Sequence, residues 1–279
     1  MKNVIKKFNN IREYEKYLSG GMTQAAFFGG EHSATGSKQF TGTISYDEAN
    51  DHLLFGDKDL AAKINKEGRI EEIRRNLFAT AQRRQTYSSV VGCAPNVPAF
   101  VAGAPNSMIS QRIVKVRQKV FNIIYSKDVN VSVDASDIVR AGANLLRAIL
   151  QIEASGARVN LWVTEISGEK NRGKKNSQFV GQFIKVKDSG QPLDVLNVAY
   201  PLASPSFTRR HFFRFVEVTP TVLSSFRGGY GTPRVDIKDV KVILKEIGLS
   251  DGCFVRYSSI CNLSVDNIAD LIKRGGDIR

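Results

Sequence analysis

Apolar positions between Val116 and Glu165 fall into three successive patterns. Val120-Phe121-Asn122-Ile123-Ile124-Tyr125 is a run of strand length with little alternation, as expected of a strand covered on both faces. From Ile138 onward Ile138, Leu145, Leu146, Ile149 and Ile152 recur at helical spacing, while Arg140, Asn144, Arg147 and Gln151 take the other side. Ala141 and Gly142 allow this helix to approach a sheet closely. Asp134 or Ser136 supplies an N-terminal cap and Gly156 a left-handed C-terminal residue. Val159-Asn160-Leu161-Trp162-Val163-Thr164 then reads as a second strand. Strand, helix and strand joined by short loops predict a right-handed crossover in a parallel sheet.

Elsewhere the pattern is weaker. Ile11, Tyr14 and Leu18 predict a helix over 10–18 that ends at Gly20-Gly21, and the small polar residues of 29–42 predict a surface loop. Ser45-x-x-Glu48 is a capping box opening a helix that stops near Gly56. Two more helices are predicted over 57–65 and 69–84. The second carries Arg69, Arg74, Arg75, Arg83 and Arg84 on a face that is either solvated or in contact with phosphate. The stretch 87–108, with Pro95, Pro98 and flanking glycines among mostly apolar residues, predicts a fixed, largely buried loop. Phe179 to Lys187 alternates as a third strand, Pro192 opens a short helix through Ala199, and Ser204-Pro205 opens another with Phe212, Phe215 and Val216 on its core face. Strands are predicted over 235–244 and 253–259, and Ser264 caps a last helix over 265–274. The chain thus divides into a helical N-terminal part with a connecting loop packed on the core, 1–110, and an α/β domain, 111–279.

The strand-helix-strand arrangement resembles a von Willebrand A-type Rossmannoid core. The chain as a whole resembles a family of proteins carried by bacteriophages and plasmids. That second resemblance rests on Phe40-Thr41-Gly42-Thr43 with Glu48-Ala49 and Gly56, on Val91-Gly92 with Pro95-Asn96-Val97-Pro98 and Gly103-Ala104-Pro105, on Ala141-Gly142-Ala143 running to Gly156, and on Arg209-Arg210-His211-Phe212. The fold class these imply is α/β: a vWA-like Rossmannoid core with a mostly parallel sheet flanked by helices, plus the helical N-terminal part. An A-type domain carries Asp-x-Ser-x-Ser after its first strand, where oxygen ligands hold a hard divalent ion. Here Asp128-Val129-Asn130-Val131-Ser132 is the nearest match, with Asp134-Ala135-Ser136 a partial one. Asp128, Asn130, Ser132 and Asp134 are therefore candidate magnesium ligands, and the alternative is that the acidic residues cap the helix.

Three cysteines, Cys93, Cys253 and Cys261, form no Cys-x-x-Cys pair, which argues against a disulfide framework and for a reducing compartment such as the host cytoplasm. No apolar run approaches the length needed to cross a bilayer, so no membrane partner is expected.

Charge changes the picture most. Forty Lys and Arg against 27 Asp and Glu give +13, and such an excess attracts polyanions by releasing their condensed counterions. The best-placed contacts are Lys170, Arg172, Lys174 and Lys175, in the connection after the second parallel strand, because ligands of open α/β sheets sit at the carboxyl ends of strands. Arg209 and Arg210 stand among aromatics, a combination that can grip backbone and stack on unpaired bases. Arg227, in Phe226-Arg227-Gly228-Gly229-Tyr230-Gly231, resembles one unit of an RNA-binding Arg-Gly-Gly segment. Each has a bland counterpart: a solvated loop, a helix core and a tight turn.

The sequence contains no Gly-x-x-x-x-Gly-Lys-Ser/Thr loop, no Gly-x-Gly-x-x-Gly after the first strand, no Gly-x-Ser-x-Gly elbow and no His-Glu-x-x-His pair. The expectation is a non-enzymatic, phage-encoded protein that binds single-stranded DNA or RNA without a cofactor, in transcription, replication or genome handling. The alternative is a vWA-like protein-interaction or virion-assembly module with a phage or host protein partner, with or without a metal.

Overall fold

In a computed structural model, residues 3–21, 30–68, 84–113, 119–130, 132–169, 178–219 and 236–277 are described. The predicted helix over 69–84 falls outside them except for Arg84. So do Lys170, Arg172, Lys174, Lys175 and Arg227.

The chain begins with a strand that the sequence pattern does not announce, β1 (Val4–Phe8), followed by helix α1 (Ile11–Gly20). Asn10 caps α1 by accepting from the Glu13 amide at 2.8 Å, and Glu13 reaches back to the Asn9 amide at 2.8 Å. A single turn, Lys38–Thr41, precedes α2 (Tyr46–Phe55). The capping box that opens α2 is present, with Ser45 accepting from the Glu48 amide at 3.1 Å, a contact that typically contributes about 1 kcal/mol. Gly56, at φ +82, ends it where a Cβ would meet Leu196. Asp57 then caps α3 (Lys58–Gly68) through the Leu60 amide.

The stretch expected to be a buried loop is instead an exposed arm. β2 (Arg84–Ser89), β3 (Ala94–Pro95) and β4 (Met108–Ile113) form an antiparallel sheet in the order β2-β4-β3, with a one-turn helix, Val97–Val101, between β3 and β4. Val90, Val91, Val97, Phe100 and Val101 stand in solvent, Phe100 at 70% exposure. An apolar sequence does not bury itself; it needs a facing surface, and among the described residues none faces this arm.

The predicted crossover is present as β5 (Val120–Ser126), α4 (Ala135–Ala154) and β6 (Arg158–Glu169), with β5 and β6 parallel from Val120↔Arg158 to Ser126↔Thr164. Gly142 meets a helix rather than the sheet. A Cβ there would lie 2.5 Å from the Ala203 Cα and 2.6 Å from the Leu202 carbonyl oxygen, so α4 and α5 (Val195–Ala203) cross at backbone contact. β7 (Gln178–Lys187) pairs antiparallel with β6, and β1 pairs parallel with β7. After α5 the chain widens into a π-helical turn, Phe207–Phe212, every residue of which is buried, and continues as α6 (Phe213–Val218).

Of residues 235–244, expected as a strand, those from Ile237 on fold into α7 (Ile237–Glu246) because Val240, Ile243 and Leu244 fall at helical spacing against the sheet. β8 (Cys253–Arg256) pairs parallel with β5, a further turn spans Tyr257–Ile260, and α8 (Val265–Arg274) starts at Ser264 and ends at Gly275, φ +103, as expected.

The result is a five-stranded, mostly parallel sheet in the order β1-β7-β6-β5-β8, flanked by helices. One face carries the larger core, in which Ile123, Tyr125, Leu161 and Val163 pack with α4 and α5. On the other, Ile124, Trp162 and Phe183 pack against α7. Because β1 belongs to this sheet, the N-terminal residues are part of the core, not only a helical layer upon it. No helix among the described residues is long and apolar enough to cross a membrane.

Candidate functional site

β5, β6 and β8 run in one direction, and their carboxyl ends define one edge of the sheet. β6 extends beyond its last β5 partner, from Glu165 to Glu169, paired only with Gln182 to Gln178 of β7. Glu169 and Gln178, the described residues that flank the basic stretch 170–177, therefore stand at this edge. The residues that flank a second basic stretch stand at the same edge. α1 returns from β1 toward it, Tyr17 meets Thr219 there through a 2.8 Å hydroxyl contact, and α7 must start there to deliver its last turn to the amino end of β8. Thr219 and Asp236 bracket residues 220–235, which contain Arg227 and Arg234 and no acidic residue. Of the 40 Lys and Arg, 26 lie in the described residues against 25 of the 27 Asp and Glu, so the remaining 14 cations meet 2 anions. The described residues carry a net +1, and +12 of the +13 falls in the remaining residues.

Behind this edge lies a closed polar layer. Lys127, directly after β5, is 2% exposed. Its Nζ donates to the Ser204 carbonyl oxygen at 2.7 Å and to that of Pro201 at 3.2 Å, and lies 5.1 Å from the Phe207 ring centroid. It thus satisfies the end of α5, where carbonyl groups carry partial negative charge. Burial pushes its pKa down to about 7, opposed by the nearby Glu165 carboxylate. Glu165, 3% exposed in the middle of β6, accepts from the Thr208 hydroxyl. Burial pushes its pKa up to about 8, opposed by Lys127 and by Thr208. His211 is held below its usual range, at about 3, by burial and is neutral, its Nδ1 lying 3.2 Å from the Tyr200 hydroxyl oxygen.

Arg209 and Arg210, expected at a nucleic-acid surface, are internal. Arg210 is fully buried and its guanidinium donates to Thr43 Oγ1 at 2.8 Å and to the carbonyl oxygens of Ser33, Thr43 and Ile44 at 3.0, 3.0 and 3.1 Å. It knots segment 33–44 onto the π-helical turn. Arg209 donates to the Phe40 and Val133 carbonyl oxygens at 2.6 and 2.5 Å and stacks 4.0 Å from the Phe40 ring centroid. Burial lowers its pKa, opposed by Asp134. Both arginines donate to the chain's own carbonyl oxygens, and Arg210 also to threonine hydroxyls, as a buried fork of N–H groups must.

The four candidate metal ligands follow β5 in one loop. Asp128 accepts from the Ser258 hydroxyl at 2.8 Å and its amide at 3.3 Å, joining the ends of β5 and β8, and burial raises its pKa against those bonds. Asn130 accepts from the Ser132 amide at 3.3 Å, both residues being exposed, and Asp134 occupies the N-cap position of α4. The Asp128 and Asn130 side chains are turned to Ser258 and to the Ser132 amide, and among the described residues no three His, Cys, Asp or Glu converge. Lys127 and Thr208 were legible only as a polar residue ending an apolar run and one opening an aromatic run; their contact with Glu165 and α5 depends on the π-helical turn, which no spacing announces.

Residues 1–251 match the model of a family described as a domain of unknown function, DUF7192, and the chain belongs to that family. No curated protein and no solved structure matches it.

Proposed function

We propose that this chain is a non-enzymatic nucleic-acid-binding protein of phage or plasmid origin. In this reading it takes single-stranded DNA or RNA at the carboxyl edge of a vWA-like sheet, in transcription, replication or genome handling in the host cytoplasm. The observation that carries the reading is the segregation of charge. The described residues are nearly balanced in charge, and those that flank two acid-free basic stretches, 170–177 and 220–235, stand at one edge. Lys170, Arg172, Lys174, Lys175 and Arg227 are the proposed phosphate contacts, and each phosphate they neutralise releases condensed counterions. Arg209 and Arg210 support the platform from inside. Lys127 and Glu165 are assigned a structural role, since a substrate has no path to groups buried to this degree.

The test is polarisation binding of labelled single-stranded and duplex oligonucleotides across a salt series. Tight binding with a steep salt slope is expected, with K174E/K175E both weaker and flatter by roughly two in that slope. Weak binding to every strand type, or a double variant as tight as wild type, overturns the reading.

A second reading, an assembly module, is supported by the exposed arm. Val90, Val91, Val97, Phe100 and Val101 form an apolar surface with no charged residue from 85 to 111, so two copies can meet there without like-charge opposition. Sedimentation should then show a dimer that F100S/V101N dissociates; a monomer at all concentrations removes this reading.

A further inference from the structure

We infer that the outer edge of β1 receives an added strand from an acidic, extended segment of a partner protein. β1 stands last in the sheet order, and its whole ladder is made with β7, from Val4↔Val180 to Phe8↔Ile184. In a parallel pair only alternate residues give their backbone groups to the neighbour, so the rest of the N–H and C=O groups of Val4–Phe8 point outward. Among the described residues no strand takes them. An open groove of about 700 Å³ runs between this edge and α1, from Ile5 to Gly21.

The chemistry around the edge selects the occupant. Lys6 and Lys7 are adjacent on a strand and so lie on opposite faces. Lys6 Nζ sits 4.6 Å from the Tyr17 ring centroid on the α1 side; Lys7 Nζ sits 3.0 Å from the Ile247 carbonyl oxygen and 5.1 Å from the Trp162 ring centroid on the α7 side. Lys16 adds a third ammonium group along the groove, and Glu13, the acid lining it, is turned to the Asn9 amide. An incoming strand meets lysine on both of its rows of side chains. A second copy pairing β1 to β1 would set these lysines against one another, which is how edge lysines discourage self-pairing. An acidic peptide gains from the same two charges and from the backbone ladder. The inference rests on β1, α1 and α7 and does not rest on the proposed nucleic-acid reading.

The experiment uses the full chain and a labelled Val/Glu peptide of repeated Val-Val-Glu-Glu, which presents Glu on both faces of a strand, with two companions: the same peptide N-methylated at alternate amides, and one with Lys for Glu. At physiological ionic strength the Val/Glu peptide should bind, and the N-methylated form at least about tenfold more weakly because the ladder is blocked. K6E/K7E should weaken the Val/Glu peptide at least about tenfold and bind the Val/Lys peptide instead, each reversed cross-strand pair acting in the same direction. K6Q/K7Q, which only neutralises the charges, should weaken the Val/Glu peptide as well, by less than the reversal does. K174E/K175E should bind the peptide as wild type does. Equal binding of the N-methylated peptide would reduce the effect to charge alone and overturn the inference. So would unchanged binding by the Lys6 and Lys7 variants, or competitive displacement of the peptide by a single-stranded oligonucleotide.

Discussion

Lys187 and Glu153 form an ion pair of 2.7 Å in the interior, their side chains 2% and 8% exposed. Lys187 ends β7 and Glu153 lies in the last turn of α4; the Lys187 ammonium also donates to the Val159 carbonyl oxygen at 3.0 Å. One contact thus ties the crossover helix to two strands. Removing one partner leaves the other charged and buried. E153A or K187A should each lower the unfolding free energy by about 3–5 kcal/mol, while E153L/K187M should recover most of the loss. Urea denaturation of the three variants measures both.

The α4–α5 crossing gives a second prediction. At Gly142 a Cβ meets the Ala203 Cα and the Leu202 carbonyl oxygen, which are backbone atoms and cannot swing aside. G142A should therefore destabilise by about 1–3 kcal/mol although Ala is the better helix former, and its melting temperature should fall accordingly.

Arg210 holds segment 33–44 through several carbonyl acceptors at once. Lys cannot reproduce the planar fork, and each carbonyl group left buried without a donor costs about 1–3 kcal/mol. R210K should make residues 30–44 the first site of limited proteolysis and lower the melting temperature. Oligonucleotide affinity per folded molecule should stay at the wild-type value.

Glu165 predicts a pH dependence. Its folded pKa, about 8, is above its ordinary value of 4.5, so between these values the folded state holds a proton that the unfolded state has released. The stability this group contributes is present below about pH 4.5 and is lost as pH rises toward 8. E165Q lacks that loss. The stability of wild type relative to E165Q should fall from pH 5 to pH 8, measured by urea midpoints at each pH; a constant difference would mean that Glu165 is ionised throughout.

The elements that could be read from the chain are those whose signals are local. The crossover from Val120 to Thr164, the Ser45 capping box, the Ser264 cap and Gly275 each depend on residues within a few positions of one another. Residues 237–246 were misread because short apolar runs fit strand or helix, and the choice fell to packing against Trp162 and Phe183. The arm was misread for the converse reason: its composition suits a core, but among the described residues no surface faces it. At the candidate site, the basic stretch 170–177 was visible as sequence, whereas the inward turn of Arg209 and Arg210 was not.

By itself the sequence determined a mixed α/β chain, its central crossover and caps, and a charge of +13, because periodicity, capping and composition are properties of neighbouring residues. Tertiary structure alone decided that Val4–Phe8 closes the sheet as an edge strand, that Lys127, Glu165, Arg209 and Arg210 are interior, and that Lys6 and Lys7 flank an open edge. Those outcomes depend on which distant segments meet. Val4 pairs with Val180 across most of the chain, and no local pattern encodes that encounter.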